Sequence, residues 1–201
     1  MKFNKLALSV VASGMLVSMM GMGVNAQTVT KHVSAIAVKY PTVLLLTLYH
    51  GPQNNGPNGY PNFTPAYFSA PANSQVELII NSYDDGPGVV VGTDNKVKET
   101  VGGVEWVDGK KVSSVSKSVI AHTLTIPGIN LNIPIPAKTA KEPYVQVKAY
   151  FNTGAAGTYA WQCMVNCGSG STGWGGAMAP STGMGWMYGK FTVYNLKSYQ
   201  K

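Results

Sequence analysis

From residue 43 to residue 195 the apolar side chains come in short runs, several of them alternating with polar positions. That period points each apolar side chain to the same face of an extended segment, so it predicts strands. The runs are Val43–Tyr49, Val76–Ile80, Val89–Val91, Val119–Ile120, His122–Ile126, Tyr144–Phe151, Tyr159–Met164 and Lys190–Tyr194, and they are rich in Val, Ile, Thr, Tyr and Phe. Turn chemistry separates them, as at Gly51-Pro52, Asp85-Gly86-Pro87-Gly88, Asp108-Gly109 and Pro127-Gly128. No segment after the N-terminal region sustains a helical period. Short strands at this spacing predict an all-β sandwich or barrel. Three stretches depart from tight hairpins: a Pro/Asn/aromatic loop over Pro52–Pro71, a charged stretch over Thr93–Ser118, and a Gly/Ser/Met/Trp stretch over Gly168–Trp186. The second reads as a solvated hairpin inserted near residues 93–118, because charges of both signs are interleaved there.

Composition narrows the function classes. With 45% hydrophobic and 11% charged residues, the chain of 201 residues has the balance of a folded domain rather than a disordered one. Its net charge is +7, and every basic residue is Lys. Nucleic-acid readers rely on Arg for bidentate contacts to phosphate and guanine, so a nucleic-acid partner is not expected. The first 26 residues have the form of a signal peptide, or of a retained N-terminal anchor with membrane association through that end. Lys2 and Lys5 precede an uncharged apolar run, and Val24-Asn25-Ala26 offers small residues for cleavage. Either way residues 27–201 are expected outside the cytoplasm: secreted, periplasmic, or on the outer face of the cytoplasmic membrane. In such an oxidising place Cys163 and Cys167 read as a disulfide or as metal ligands.

The region from Ala156 to Val193 carries the most chemistry. A Gly157-Thr158-Tyr159 turn leads into an aromatic strand ending at Cys163, a loop follows, and Met187-Tyr188-Gly189-Lys190 opens another β run. Upstream, His122 opens the strand that ends at Ile126. This order resembles the cupredoxin family, the blue-copper proteins and the copper domain of cytochrome oxidase subunit II, over roughly residues 43–195. The resemblance implies a Greek-key β-sandwich and a copper site drawn from His122, Cys163, Cys167 and Met187, with Met178 as the other thioether. Such donors suit copper, since thiolate and thioether hold Cu(I) and imidazole holds Cu(II). The resemblance also implies electron transfer rather than enzymatic turnover, with a respiratory oxidase or another redox protein as partner.

One family ligand is missing. The family places a second His shortly after the Cys, but the chain has only His32, His50 and His122. The Cys163-x-x-x-Cys167-Gly168 spacing is closer to the subunit II type, where a second imidazole would have to come from His50 or His32. Two other functions stay open: a metal-free accessory or structural subunit with Cys163 and Cys167 oxidised, and a Cu(I) delivery protein. Met187 competes with a packing role, as Met in a Gly/Trp-rich loop often fills gaps. Trp161 reads either as core or as part of an apolar rim, and Asp84-Asp85 reads as a turn initiator. No nucleophile elbow, phosphate loop, dinucleotide fingerprint or zinc helix is present.

Overall fold

The computed structural model describes residues 41–49, 61–166 and 187–196. The N-terminal segment 1–26, His32, His50, Cys167 and the Gly168–Trp186 stretch with Met178 lie outside the described residues.

Alternation along the chain builds the sandwich directly. The strands are β1 (Thr42–Tyr49), β2 (Asn62–Thr64), β3 (Tyr67–Pro71), β4 (Gln75–Ser82), β5 (Val89–Val90), β6 (Thr100–Val107), β7 (Lys110–Val112), β8 (Ile120–Ile126), β9 (Leu131–Pro136), β10 (Val145–Asn152), β11 (Gly157–Gln162), β12 (Val165–Asn166) and β13 (Tyr188–Tyr194). One sheet runs β2-β1-β4-β10-β6-β7, the other β3-β13-β11-β8-β9, and β5 pairs with β12 as a short ribbon. Both large sheets are mixed, because β1 lies parallel to β4 and β13 lies parallel to β3. In β4 and β10 every second residue is buried. Their inward positions, Val76, Leu78, Ile80, Val145, Val147, Ala149 and Phe151, join Leu46 and Leu48 of β1 in one core with Leu124, Ile126, Ile133, Trp161, Phe191 and Val193 of the second sheet. Burying such side chains contributes about 1.5–3 kcal/mol each, which is what holds the two sheets face to face.

The all-β sandwich expected from periodicity is what forms. The strands read from apolar runs fall on β1, β4, β5, β8, β10, β11 and β13. Periodicity misses β2 and β3, which lie in the Pro-rich stretch, and β9, whose sequence is Leu-Asn-Ile-Pro-Ile-Pro. β9 tolerates Pro134 and Pro136 because it is an edge strand, paired only to β8 in its sheet. All six of its residues are nevertheless buried. Asn132 explains part of this: its side-chain amide donates to the carbonyls of Asp94 and Lys96 at 2.9 and 2.7 Å, strapping the 94–98 segment over the strand.

The charged stretch is not solvated throughout, since Val97, Thr100, Glu105 and Val115 are buried. β6 and β7 do form a hairpin at the sheet edge, but β6 pairs with β10 along its other side. That places Glu105 on the inward face, fully buried, where a solvated position is expected from the interleaved charges. Among the described residues neither of its carboxyl oxygens has a hydrogen-bond partner.

Among the described glycines, Gly189 has the least room for a side chain. It pairs with Trp161, and a Cβ there would overlap the Ala66 carbonyl oxygen and the Trp161 ring. Both are fixed, the carbonyl by accepting from Trp161 Nε1–H at 2.8 Å and from Lys190 N–H at 3.2 Å. Gly189→Ala is therefore expected to lower stability by about 1–3 kcal/mol, the usual cost of overpacking. A denaturant midpoint unchanged from wild type would show that β3 and β13 can part freely.

Candidate metal centre

His122 and Cys163 come from different parts of the chain and meet inside the sandwich. β8 lies beside β11 in the same sheet, with Thr125 opposite Gln162. That pairing sets the residues just before Thr125 next to those just after Gln162. At the start of β8 the register with β9 shifts: Ile120 lies opposite Pro136 and His122 opposite Ile135, so two residues of β8 span one of β9. Such a bulge re-aims the side chains beside it. His122 Nδ1 stands 3.7 Å from Cys163 Sγ, and both residues are 1% exposed.

The strand end that carries the thiol is held by three hydrogen bonds. Cys163 N–H donates to the Met187 carbonyl at 3.0 Å, tying the end of β11 to the residue before β13. Thr123 N–H points at Cys163 Sγ at 3.4 Å. Met164 N–H donates to Thr123 Oγ1 at 2.8 Å. From there a one-way chain of hydroxyls follows. Thr123 Oγ1 lies 2.9 Å from Thr125 Oγ1, and Thr125 Oγ1 donates to Asn132 Oδ1 at 2.6 Å. Since Thr125 spends its proton on Asn132, Thr123 must donate to Thr125 and accept from Met164. Each member is satisfied, so the strand junction under the sulfur is rigid.

The imidazole is held by a carboxylate. His122 Nε2 lies 2.6 Å from Asp84 Oδ2. Asp84 is itself anchored, its Oδ1 accepting Gly86 N–H at 2.9 Å and its carbonyl accepting Lys138 N–H at 2.9 Å. The turn-initiating role expected of Asp84 is present in that Gly86 bond, and the second carboxyl oxygen adds the contact to His122. Burial pulls the His122 pKa down, while the bonds to Asp84 and then Cys163 pull it up, and the balance is a rise from 6.5 to about 9.

The structure thus brings together His122 and Cys163, with Met187 fully buried and bonded to Cys163 through its backbone. Cys167 lies outside the described residues. Among the described residues no three His, Cys, Asp or Glu side chains converge as a metal-holding group. Sequence reasoning missed two contributors. Asp84 is separated from His122 by 38 positions, and nothing in its local pattern announces that partner. Thr123 is readable only as a strand residue, because its role depends on β8 lying beside β11. Trp161, read as core or rim, is core: it is fully buried.

No protein-family model matches the chain, and no curated protein matches it. Solved structures do. A rusticyanin variant is 14% identical, with 76% of each chain covered and a TM-score of 0.39. A heme-copper terminal oxidase is 16% identical at a TM-score of 0.35, covering 77% of this chain and 65% of that one, just under two thirds. Auracyanin A, a "blue" copper protein from Chloroflexus aurantiacus, is 11% identical at a TM-score of 0.32, covering 77% of this chain and 100% of that one. All three superpose loosely. The fold itself is a two-sheet β-sandwich that sets His122, the third residue of β8, beside Cys163 just past β11.

Proposed function

We propose that the protein is an exported, copper-binding electron carrier that works with a respiratory oxidase or another redox protein. The observation that carries this reading is the buried approach of His122 Nδ1 to Cys163 Sγ at 3.7 Å. Two donors bound to one ion at roughly 2.0–2.3 Å stand about 3.5 Å apart at a tetrahedral angle, so the pair fits a shared metal with little movement. A thiolate with an imidazole is a donor set suited to copper. Met187 and Cys167 are the further ligands we assign to the site.

When bound, copper would supply one-electron exchange. The chain's own residues hold the donors still and keep water away. Cys163 is clamped by Met187 and Thr123, His122 by Asp84, and the surrounding core is apolar. A rigid, dry setting favours rapid transfer because little has to rearrange when charge changes. Export rests on the N-terminal segment. Among the described residues no helix is long and apolar enough to cross a membrane.

Titration of the purified protein with Cu(II), followed by optical and paramagnetic spectra, tests the reading. The wild type is expected to develop a thiolate-to-copper absorption that saturates at fixed stoichiometry, and Cys163→Ser is expected to lose it. A wild-type protein without that absorption would overturn the assignment. A Cys163–Cys167 disulfide, which would remove the thiolate, is read separately from the mass before and after reduction.

A further inference from the structure

We propose that Asp84 is a positioning residue that aims His122 Nδ1 at the Cys163 sulfur and presents it to the metal. The metal half of this statement rests on the function proposed above, while the aiming half does not. Nδ1 faces the sulfur, and a half-turn of the ring would put Cδ2 there instead and turn Cε1 towards Asp84 in place of Nε2. Asp84 removes that choice. A carboxylate accepts hydrogen bonds and cannot donate one, so the nitrogen at 2.6 Å from Oδ2 must carry a proton. That nitrogen is Nε2, so the proton the ring gives up to a metal comes from Nδ1, the atom 3.7 Å from Cys163 Sγ.

The geometry that supports this is built rather than incidental. The Asp84 carboxyl is gripped by Gly86 N–H on its other oxygen, and its backbone carbonyl is gripped by Lys138 N–H. The segment that follows is pinned as well, since Gly88 N–H donates to the Ile120 carbonyl at 2.8 Å and β5 pairs with β12 just beyond Cys163. Asp84, His122 and Cys163 are thus three points on one braced frame, and Asp84 is 6% exposed. A carboxylate behind a ligating imidazole both orients the ring and raises its basicity, and losing it typically costs 10–100-fold in metal affinity. It also places a negative charge near the site, which favours Cu(II) over Cu(I).

Two measurements on the full chain test this. In the metal-free protein, nitrogen-15 spectra of the imidazole should show an Nε2–H protected from solvent exchange in wild type and unprotected in Asp84→Ala. With Cu(II) and Cu(I) titrated separately, Asp84→Asn should weaken Cu(II) at least tenfold and Cu(I) less, shifting the reduction potential upward. A general loosening of the fold would weaken both without that ordered split. An unprotected Nε2–H in the wild type would overturn the positioning role whatever the copper result. A protected Nε2–H in a protein that binds no copper would uphold the aiming of the ring and sink only the metal reading. Equal losses for the two oxidation states would overturn the electrostatic part.

Discussion

Raising the pH from about 5 towards 9 is expected to lower the stability of the folded protein continuously, and Glu105→Gln is expected to remove much of that fall. Burial alone raises the Glu105 pKa from 4.5 to about 9. Among the described residues no counter-charge offsets it. Its neighbours across the strands are Ala149 on β10 and Val112 on β7, and β9, which also packs against β6, carries no ionisable side chain. On β7, Lys110 and Lys111 are exposed, and Lys148 of β10 lies 3.9 Å from Glu77 rather than Glu105. In the folded state the carboxyl keeps its proton, while in the unfolded chain it ionises above about 4.5. The folded state therefore binds more protons throughout that window. The stabilisation is complete below the unfolded value and is lost as pH rises through the window to the folded one. Each pH unit between the two values corresponds to about 1.4 kcal/mol, so the whole effect is on the order of several kcal/mol.

His122 acts with the same sign, but only above its unfolded value of 6.5. The interval from about 4.5 to 6.5 thus isolates Glu105 from it. Denaturant unfolding of wild type, Glu105→Gln and Glu105→Leu across that interval measures the effect. Glu105→Leu is expected to be more stable than wild type at pH 8, because an apolar side chain of similar volume needs neither a proton nor a partner. A wild-type profile that stays flat, or a slope that survives in Glu105→Gln, would mean that the carboxyl finds water or a partner when it ionises.

Trp161→Ala is expected to cost about 3–5 kcal/mol, the range for deleting a buried aromatic side chain. Trp161 is fully buried, meets Phe63 edge-on at 5.2 Å and stacks with Phe68 at 6.5 Å. Its Nε1–H bond to Ala66 ties β11 to the turn before β3, so the same ring fills the core and fixes a backbone segment. Trp161→Phe should cost less than Trp161→Ala. It keeps aromatic contacts, and the Ala66 carbonyl still accepts Lys190 N–H at 3.2 Å. Guanidinium unfolding monitored by far-ultraviolet circular dichroism gives both values. A loss below about 1 kcal/mol for the Ala variant would show that the region around β11 repacks without it.

How far the sequence carries depends on whether a feature is local. β4 and β10 are legible because alternation is a property of neighbouring residues, and the pattern survives in their burial. β9 is not, since two prolines break the pattern and its burial comes from a strap at Asp94 and Lys96. Glu105 misleads for a related reason. It belongs to a stretch of interleaved charges, but its surroundings in space are set by β10, more than forty positions away. At the site, His122 and Cys163 meet although 41 positions separate them. What the order of residues could not show is Asp84, whose contact with His122 exists only once β8 and the segment before β5 are side by side.

The place of β13 between β3 and β11 in its sheet has a consequence for how the molecule is made. Of all the sandwich strands it leaves the ribosome last, at about 5–20 residues per second, and until it arrives β3 and β11 have no shared neighbour. Synthesis from one end therefore lets the six-stranded sheet, all of whose strands precede β13, pair before the second sheet can be completed. Completion of the second sheet waits for that closing strand.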